Sequence, residues 1–356
     1  MMKNQKPFKR NRLWMYLVVI GAIAYFFTKN SIDVSQLQAI KWTGRIGIAI
    51  ALGIAMLLLR DFGYVMRMRL MTDHQIPFWQ TVRIILLWEF GSAITPGMIG
   101  GKAVAVFLLI KNKISGARAS AIVLLSILLD EFIFVLLFPI FYFIIGPSML
   151  HGDSNCQDWL SLRARMPFID NVRYLEEAIV MMLIFIMTFV IITFVGIFLK
   201  PLWIQSRIIA LSRWRILHRW KENIRNFAEE LRSTSQEIKS KNAKFWIPLI
   251  GYTLLSWIGR YLIGVAIVWG FANDRFDFIA VYTKQYALWL MFYLPSTPGS
   301  SGIAEALYMA FYCEYIQTGM SGAAALVWRF LSYYIYLIIG FALLGFSGEG
   351  KDIEEK

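Results

Sequence analysis

TPGSSGIAE, residues 297–305, places proline, three small breakers of regular structure and a carboxylate inside a stretch otherwise apolar enough for lipid. An earlier stretch, TPGMIGGKA at 95–103, has the same Thr-Pro-Gly-x-x-Gly skeleton, with Lys102 about where the later copy carries Glu305. Proline removes a backbone donor and glycine admits backbone conformations that a helix does not use. Each stretch therefore predicts a helix that enters an apolar region and stops there.

The surrounding composition explains why this matters. Of 356 residues, 58% are hydrophobic and mean hydropathy is +0.56, more apolar than a soluble domain tolerates. Charged residues make up 17% and gather between apolar runs, so the net charge of +13 belongs to loops and excludes a nucleic-acid-binding face. His74, His151 and His218 are scattered, and no metal or cofactor is expected. Cys156 and Cys313 are too few and too far apart in sequence to suggest a metal site or a disulfide framework.

About 20 apolar residues cross a bilayer core. Spans are expected near 13–28, 45–66, 118–146, 178–199, 245–270 and 323–346, the first read as an uncleaved helix. The runs 78–110 and 279–313 are the interrupted ones. Lysine and arginine concentrate in 1–12, 60–77, 111–118, 200–244 and the tail, which places those segments and both termini in the cytoplasm. That distribution holds when each interrupted run enters and leaves on the same side, as a re-entrant hairpin, or crosses twice as two short helices.

Repeat one, about 45–146, and repeat two, about 245–346, then become inverted copies within a single domain spanning 1–356. Small-residue patches at 115–121 and 318–325 follow the two hairpins and extend the echo. The fold class is an all-α polytopic membrane bundle with two inverted repeats, each with a broken hairpin. The segment 200–244, basic and interleaved with Trp203, Trp214 and Trp220, reads as an amphipathic element on an anionic leaflet.

Non-helical backbone cannot face lipid, because every unpaired N–H or C=O there costs several kcal/mol. The turns must point inward, where discontinuous helices present their N-termini to an anionic group. Intramembrane ionisable residues favour cavities or one another: Arg83, Glu89, Lys102, Asp130, Glu131, Arg260, Lys284, Glu305 and Arg329. The expected head-group contacts are Thr95, Pro96, Gly97, Gly100, Gly101 and Lys102 in the first hairpin. In the second repeat they are Pro298, Gly299, Gly302 and Glu305, with Arg329 and Arg260 beside them. Lys102 and Glu305 are expected as opposite charges near the pseudo-two-fold axis, with Glu305 pairing with a basic residue or binding a cationic one. Arg83 and Asp130, near span ends, are read as structural. No nucleophile elbow, zinc-protease motif or phosphate loop occurs, so no catalytic residue is assigned.

At these residues the sequence resembles the membrane domain of lysylphosphatidylglycerol synthases, a flippase-like family. The likeness rests on Thr95-Pro96-Gly97-x-x-Gly100-Gly101, on Leu294-Pro295-x-x-Pro298-Gly299-x-x-Gly302-x-x-Glu305 and on Arg329, and covers about 13–346. Ser300-Ser301 stand where the family's second turn is commonly richer in glycine, and the family commonly carries an acidic residue near Lys102. The resemblance implies translocation of an anionic, aminoacylated or polyprenyl-phosphate lipid across the cell membrane. In full-length relatives a soluble aminoacyl-transferase domain follows; here the chain stops at Lys356, so that domain and its activity are not expected. The alternative is a membrane subunit that serves a separate soluble lipid-modifying enzyme.

Overall fold

The computed structural model describes residues 42–95, 99–146, 172–211, 221–292 and 302–349, with isolated positions 156, 157, 160, 164 and 300. The expected first span at 13–28 and the turn residues Pro96, Gly97, Pro298 and Gly299 lie outside the described residues.

Among the described residues, five helices are long and apolar enough to cross a membrane. The first unit consists of α1 (Gly44–Met71), the short pair α2 (Phe78–Ile94) and α3 (Ile99–Lys111), and α4 (Gly116–Ile145). Next come α5 (Val172–Phe194), a π-helical turn at Val195–Leu199, and two helices of the connecting segment, α6 (Pro201–Leu211) and α7 (Lys221–Ser240). The second unit repeats the order: α8 (Ala243–Gly270), the short pair α9 (Phe278–Met291) and α10 (Ile303–Tyr312), then α11 (Ser321–Arg329). A π-helical turn at Phe330–Tyr334 leads from α11 into α12 (Ile335–Glu349). The expected spans at 45–66, 118–146, 178–199, 245–270 and 323–346 all coincide with helices, and both interrupted runs are split where the Thr-Pro-Gly stretches fall.

Local chemistry sets the helix starts. Thr43, Ser115, Asn242 and Asp277 precede α1, α4, α8 and α9, and each side-chain oxygen accepts from a backbone N–H of the first turn. Large apolar side chains on the outer faces, among them Phe62, Phe143, Phe185 and Ile247, remain exposed, as lipid contact requires.

The two units meet through α1 and α8, which run antiparallel. A Cβ on Gly63 would sit 2.3 Å from Ser256 Oγ, one on Gly259 2.9 Å from the Arg60 nitrogen, and one on Gly270 2.4 Å from Ala49 Cβ. Small residues at successive contacts let the backbones approach closely enough for the Ser256 hydroxyl to donate to the Arg60 carbonyl at 3.1 Å. Within the first pair, α2 and α3 also lie antiparallel. Gly91 faces Val104, and a Cβ on Gly101 would fall 1.8 Å from Ser92 Oγ.

Two expectations are corrected. The cysteines are joined in a Cys156–Cys313 disulfide, with Cα atoms 6.3 Å apart. Distance along the chain is not distance in space: the fold brings the loop after α4 to the end of α10. The basic stretch that was assigned to the cytoplasm from residue 60 is helical to Met71, with Arg60 only 2% and Arg67 3% exposed.

The connecting segment also differs from a helix laid flat on lipid. The apolar stripe of α7, including Ala228, Leu231 and Ile238, is buried, and α7 packs against α6 and α4. Arg118 at the start of α4 bonds both Asp73 (2.6 Å) and Glu237 (3.1 Å), and Lys241 reaches Asp73 at 2.7 Å. Trp203 remains 41% exposed with Arg207 stacked 5.5 Å away, while Trp214 and Trp220 lie outside the described residues.

Candidate functional site

Between the two units lies a cavity of about 280 Å³. Arg60, Asp130 and Trp257 in its wall stand near the middles of α1, α4 and α8, so the cavity sits at mid-height of the bundle. Thr95 and Ser300, which flank the two helix breaks, both line it. Two residues beside the helix breaks, one from each unit, thus share one space, while the turn residues between them lie outside the described residues.

Five cationic side chains (Arg60, Arg67, Lys102, Arg260, Arg329) and three acidic ones (Glu89, Asp130, Glu131) face this cavity. Their partners differ. Arg67 holds Asp130 in a two-pronged pair at 2.7 and 3.0 Å, and Trp257 Nε1 donates to the same carboxylate at 2.9 Å. Arg60 is paired with Glu89 and donates to the Tyr336 hydroxyl at 3.1 Å; that hydroxyl donates in turn to Asp61 at 2.8 Å. Such pairing is what allows a guanidinium 2% exposed to remain inside a membrane bundle.

Arg260 is held more loosely. Its guanidinium donates to the Tyr64 hydroxyl at 2.8 Å and lies 4.6 Å from the Trp289 ring centroid, but the carboxylate it approaches, Glu89, is 3.8 Å away. Lys102 makes no ion pair among the described residues and lies in the field of Glu131 and Asp130. These two cations are the least neutralised in the wall.

Glu305 is fully buried. One carboxylate oxygen accepts from the Gly302 backbone N–H at 2.6 Å, closing the start of α10, and the other pairs with Arg329 Nε at 3.0 Å. Gly302, with φ +85°, is the residue that allows this entry. Arg329 also stacks on Tyr333, 4.2 Å from the ring centroid, where the π-helical turn begins. Glu305 therefore has the basic partner expected of it, and that partner is Arg329; no ion pair joins it to Lys102 among the described residues.

In the first hairpin, the Thr95 hydroxyl donates back to the Gly91 carbonyl at 2.6 Å. A Cβ on Gly100 would lie 2.1 Å from Thr95 Oγ1, so Gly100 and Gly101 allow the start of α3 to approach the end of α2. Of the other ionisable residues, Arg83 is exposed, and Lys284 is taken up by Glu314 and the Phe311 carbonyl away from the cavity. Asp130, read as structural, is indeed ion-paired, but in the cavity wall.

Sequence reading missed Arg60, Asp61, Tyr64 and Arg67. The signal was present: 60, 64 and 67 are spaced i, i+4, i+7, one face of a helix. It was hidden because a cluster of arginines at the end of an apolar run also looks like a positive loop.

The fold and the cavity define a polytopic, all-α membrane protein with a charged compartment at mid-height. A family model described as the lysylphosphatidylglycerol synthase TM region matches residues 14–340, and the chain belongs to that family. A UPF0104 membrane protein of Archaeoglobus fulgidus is 22% identical over 333 residues, which cover 93% of this chain and 94% of the relative.

Proposed function

We propose that this protein translocates a lipid with an anionic head group between the leaflets of the cell membrane. The observation that carries the reading is the mid-height cavity whose wall holds the weakly neutralised cations Lys102 and Arg260 together with Thr95 and Ser300 from beside the two helix breaks. Its volume suits a polar head group and not acyl chains, which would remain in the bilayer as the head group crosses. We read the two units as inverted copies. The 28-residue α1 and α8 are antiparallel mates, and each is followed by a short pair and a long helix. Exchange of the cavity's exposure would follow from rocking one unit against the other.

The same reading places the Asp73–Arg118–Glu237–Lys241 cluster and both termini in the cytoplasm. The Cys156–Cys313 bridge, at the opposite end of the bundle, then lies on the oxidising exterior where disulfides persist. The candidate lipids are phosphatidylglycerol, its aminoacyl ester and a polyprenyl phosphate, and the proposed activity is transport, without catalysis.

The test is leaflet exchange of fluorescent forms of these three lipids in proteoliposomes, comparing the wild type with Arg260→Gln. Exchange of one lipid, reduced in the variant, is expected. Failure to exchange any of them, with correctly folded protein, would overturn the reading.

A further inference from the structure

The hydrogen-bond donors of the cavity are unevenly used. Gln285 is 4% exposed, lines the cavity, and its Nε2 has no hydrogen-bond partner among the described residues. Trp289 Nε1, Arg260 Nε and the Ser332 hydroxyl share that condition and border the same space. Folded proteins pair nearly all buried donors, so four unmet groups around one cavity mark a place for acceptors that come from outside the chain.

The geometry holds these donors in place. The Gln285 amide fills the notch left by Gly264, where a Cβ would come within 2.0 Å of Nε2, so it is wedged between backbone and cavity. Stacking on the Trp289 ring fixes the plane of the Arg260 guanidinium, whose 3.8 Å contact with Glu89 leaves it under-neutralised. Three of the four groups can only donate here, and a positive charge accompanies them. An ammonium group could not satisfy these three N–H groups; a group with several anionic acceptor oxygens on one centre would satisfy them together.

We propose that Gln285, Trp289, Arg260 and Ser332 form the subsite for the phosphate oxygens of the ligand, on the wall built by the second unit. The subsite deepens the translocation reading and rests on it for the ligand being a lipid; its chemistry alone would also accept a free phosphate. Hydrogen bonds to a charged group set the scale: loss of one weakens binding about tenfold.

The experiment is fluorescence anisotropy of acyl-labelled phosphatidylglycerol on the purified protein in detergent. An identically labelled diacylglycerol, which lacks the phosphate, serves as control. Gln285→Leu and Trp289→Phe are the variants; the phenyl ring retains an aromatic face under Arg260 while losing the N–H and part of the indole surface, a loss of area that the diacylglycerol control reads separately. Each is expected to weaken phosphatidylglycerol binding about tenfold and leave diacylglycerol binding unchanged. Inorganic phosphate added as competitor separates the two sources. Failure to displace the lipid supports a lipid-borne phosphate, and displacement supports the subsite with a soluble anion as an occupant.

The subsite is overturned if both variants bind phosphatidylglycerol as the wild type does, water alone then satisfying the donors, or if both lose the two lipids equally. Wild-type exchange in proteoliposomes separates this from the wider reading. Phosphate discrimination without exchange retires translocation and keeps the subsite, whereas exchange without any effect of the variants does the reverse.

Discussion

The two hairpins share a Thr-Pro-Gly-x-x-Gly skeleton and put opposite charges to different uses. In the second, Glu305 stands in the first turn of α10, where a carboxylate complements the exposed N–H groups and the helix dipole; it folds back onto Gly302 and neutralises Arg329. In the first, Lys102 stands at a similar place in α3, where a cation can neither cap the helix nor gain from its dipole. It extends into the cavity and faces Asp130 and Glu131. One charge is consumed in holding the fold, and the other lines the cavity with no ion pair among the described residues. Near-identical turn sequences thus carry different roles according to the sign of one residue.

The ends of the hairpins differ as well. The second is followed by Cys313, bonded to Cys156, and by the Ala272–Ile316 backbone bridge, with Asn273 donating to the carbonyls of Glu314 and Ile316. The base of the first is flanked by the ion pairs of Asp73, Arg118, Glu237 and Lys241, all partly exposed. A covalent staple resists salt; exposed ion pairs do not.

The sharpest break in this contrast is Glu305→Gln. It removes the carboxylate charge and leaves the Arg329 guanidinium buried without its counter-ion, at a cost of about 3–5 kcal/mol. A thermal unfolding midpoint in detergent within a degree of wild type would refute the structural role. Cys156→Ser comes next, with an expected loss of about 2–4 kcal/mol and a thiol that becomes available to an impermeant maleimide added outside intact cells. Labelling only after the membrane is breached would reverse the proposed orientation.

Gly101→Val should open the α2–α3 contact, because its side chain would occupy the site of the Ser92 hydroxyl; overpacking of this kind costs about 1–3 kcal/mol. A wild-type unfolding midpoint would show that the first hairpin tolerates separation. Lys102→Met should have the smallest effect on stability, below about 1 kcal/mol, since no ion pair is broken. Its effect should appear in phosphatidylglycerol exchange, which is expected to fall several-fold. If Lys102→Met instead destabilises as strongly as Glu305→Gln, the two charges have the same role and the asymmetry between the hairpins disappears.

Much of the architecture was legible because it is written locally. A run of some 20 apolar residues and a Thr, Ser, Asn or Asp before a helix act within a few residues of themselves. Hence the five spans and the two breaks could be read from neighbouring residues alone, as could the need of Glu305 for a cationic partner; that this partner is Arg329 could not. The site was legible only in part. Arg260, Lys102 and Arg329 announced themselves as charges inside apolar runs, whereas Arg60 and Arg67 did not, because basic residues at the end of a run are ambiguous between helix and loop.

The sequence by itself determined that this chain is a membrane bundle, where its helices break, and which charges must be sheltered, since hydrophobic transfer and backbone satisfaction act on each segment separately. Only the tertiary structure decided that Cys156 meets Cys313, that Arg60 shares its surroundings with Glu89 and Tyr336, and that Gln285 and Trp289, both in the cavity wall, keep buried donors without a hydrogen-bond partner among the described residues. Those outcomes join residues far apart along the chain, and they follow from the way α1 and α8 fit against each other at their glycines, a property of two surfaces and not of either segment.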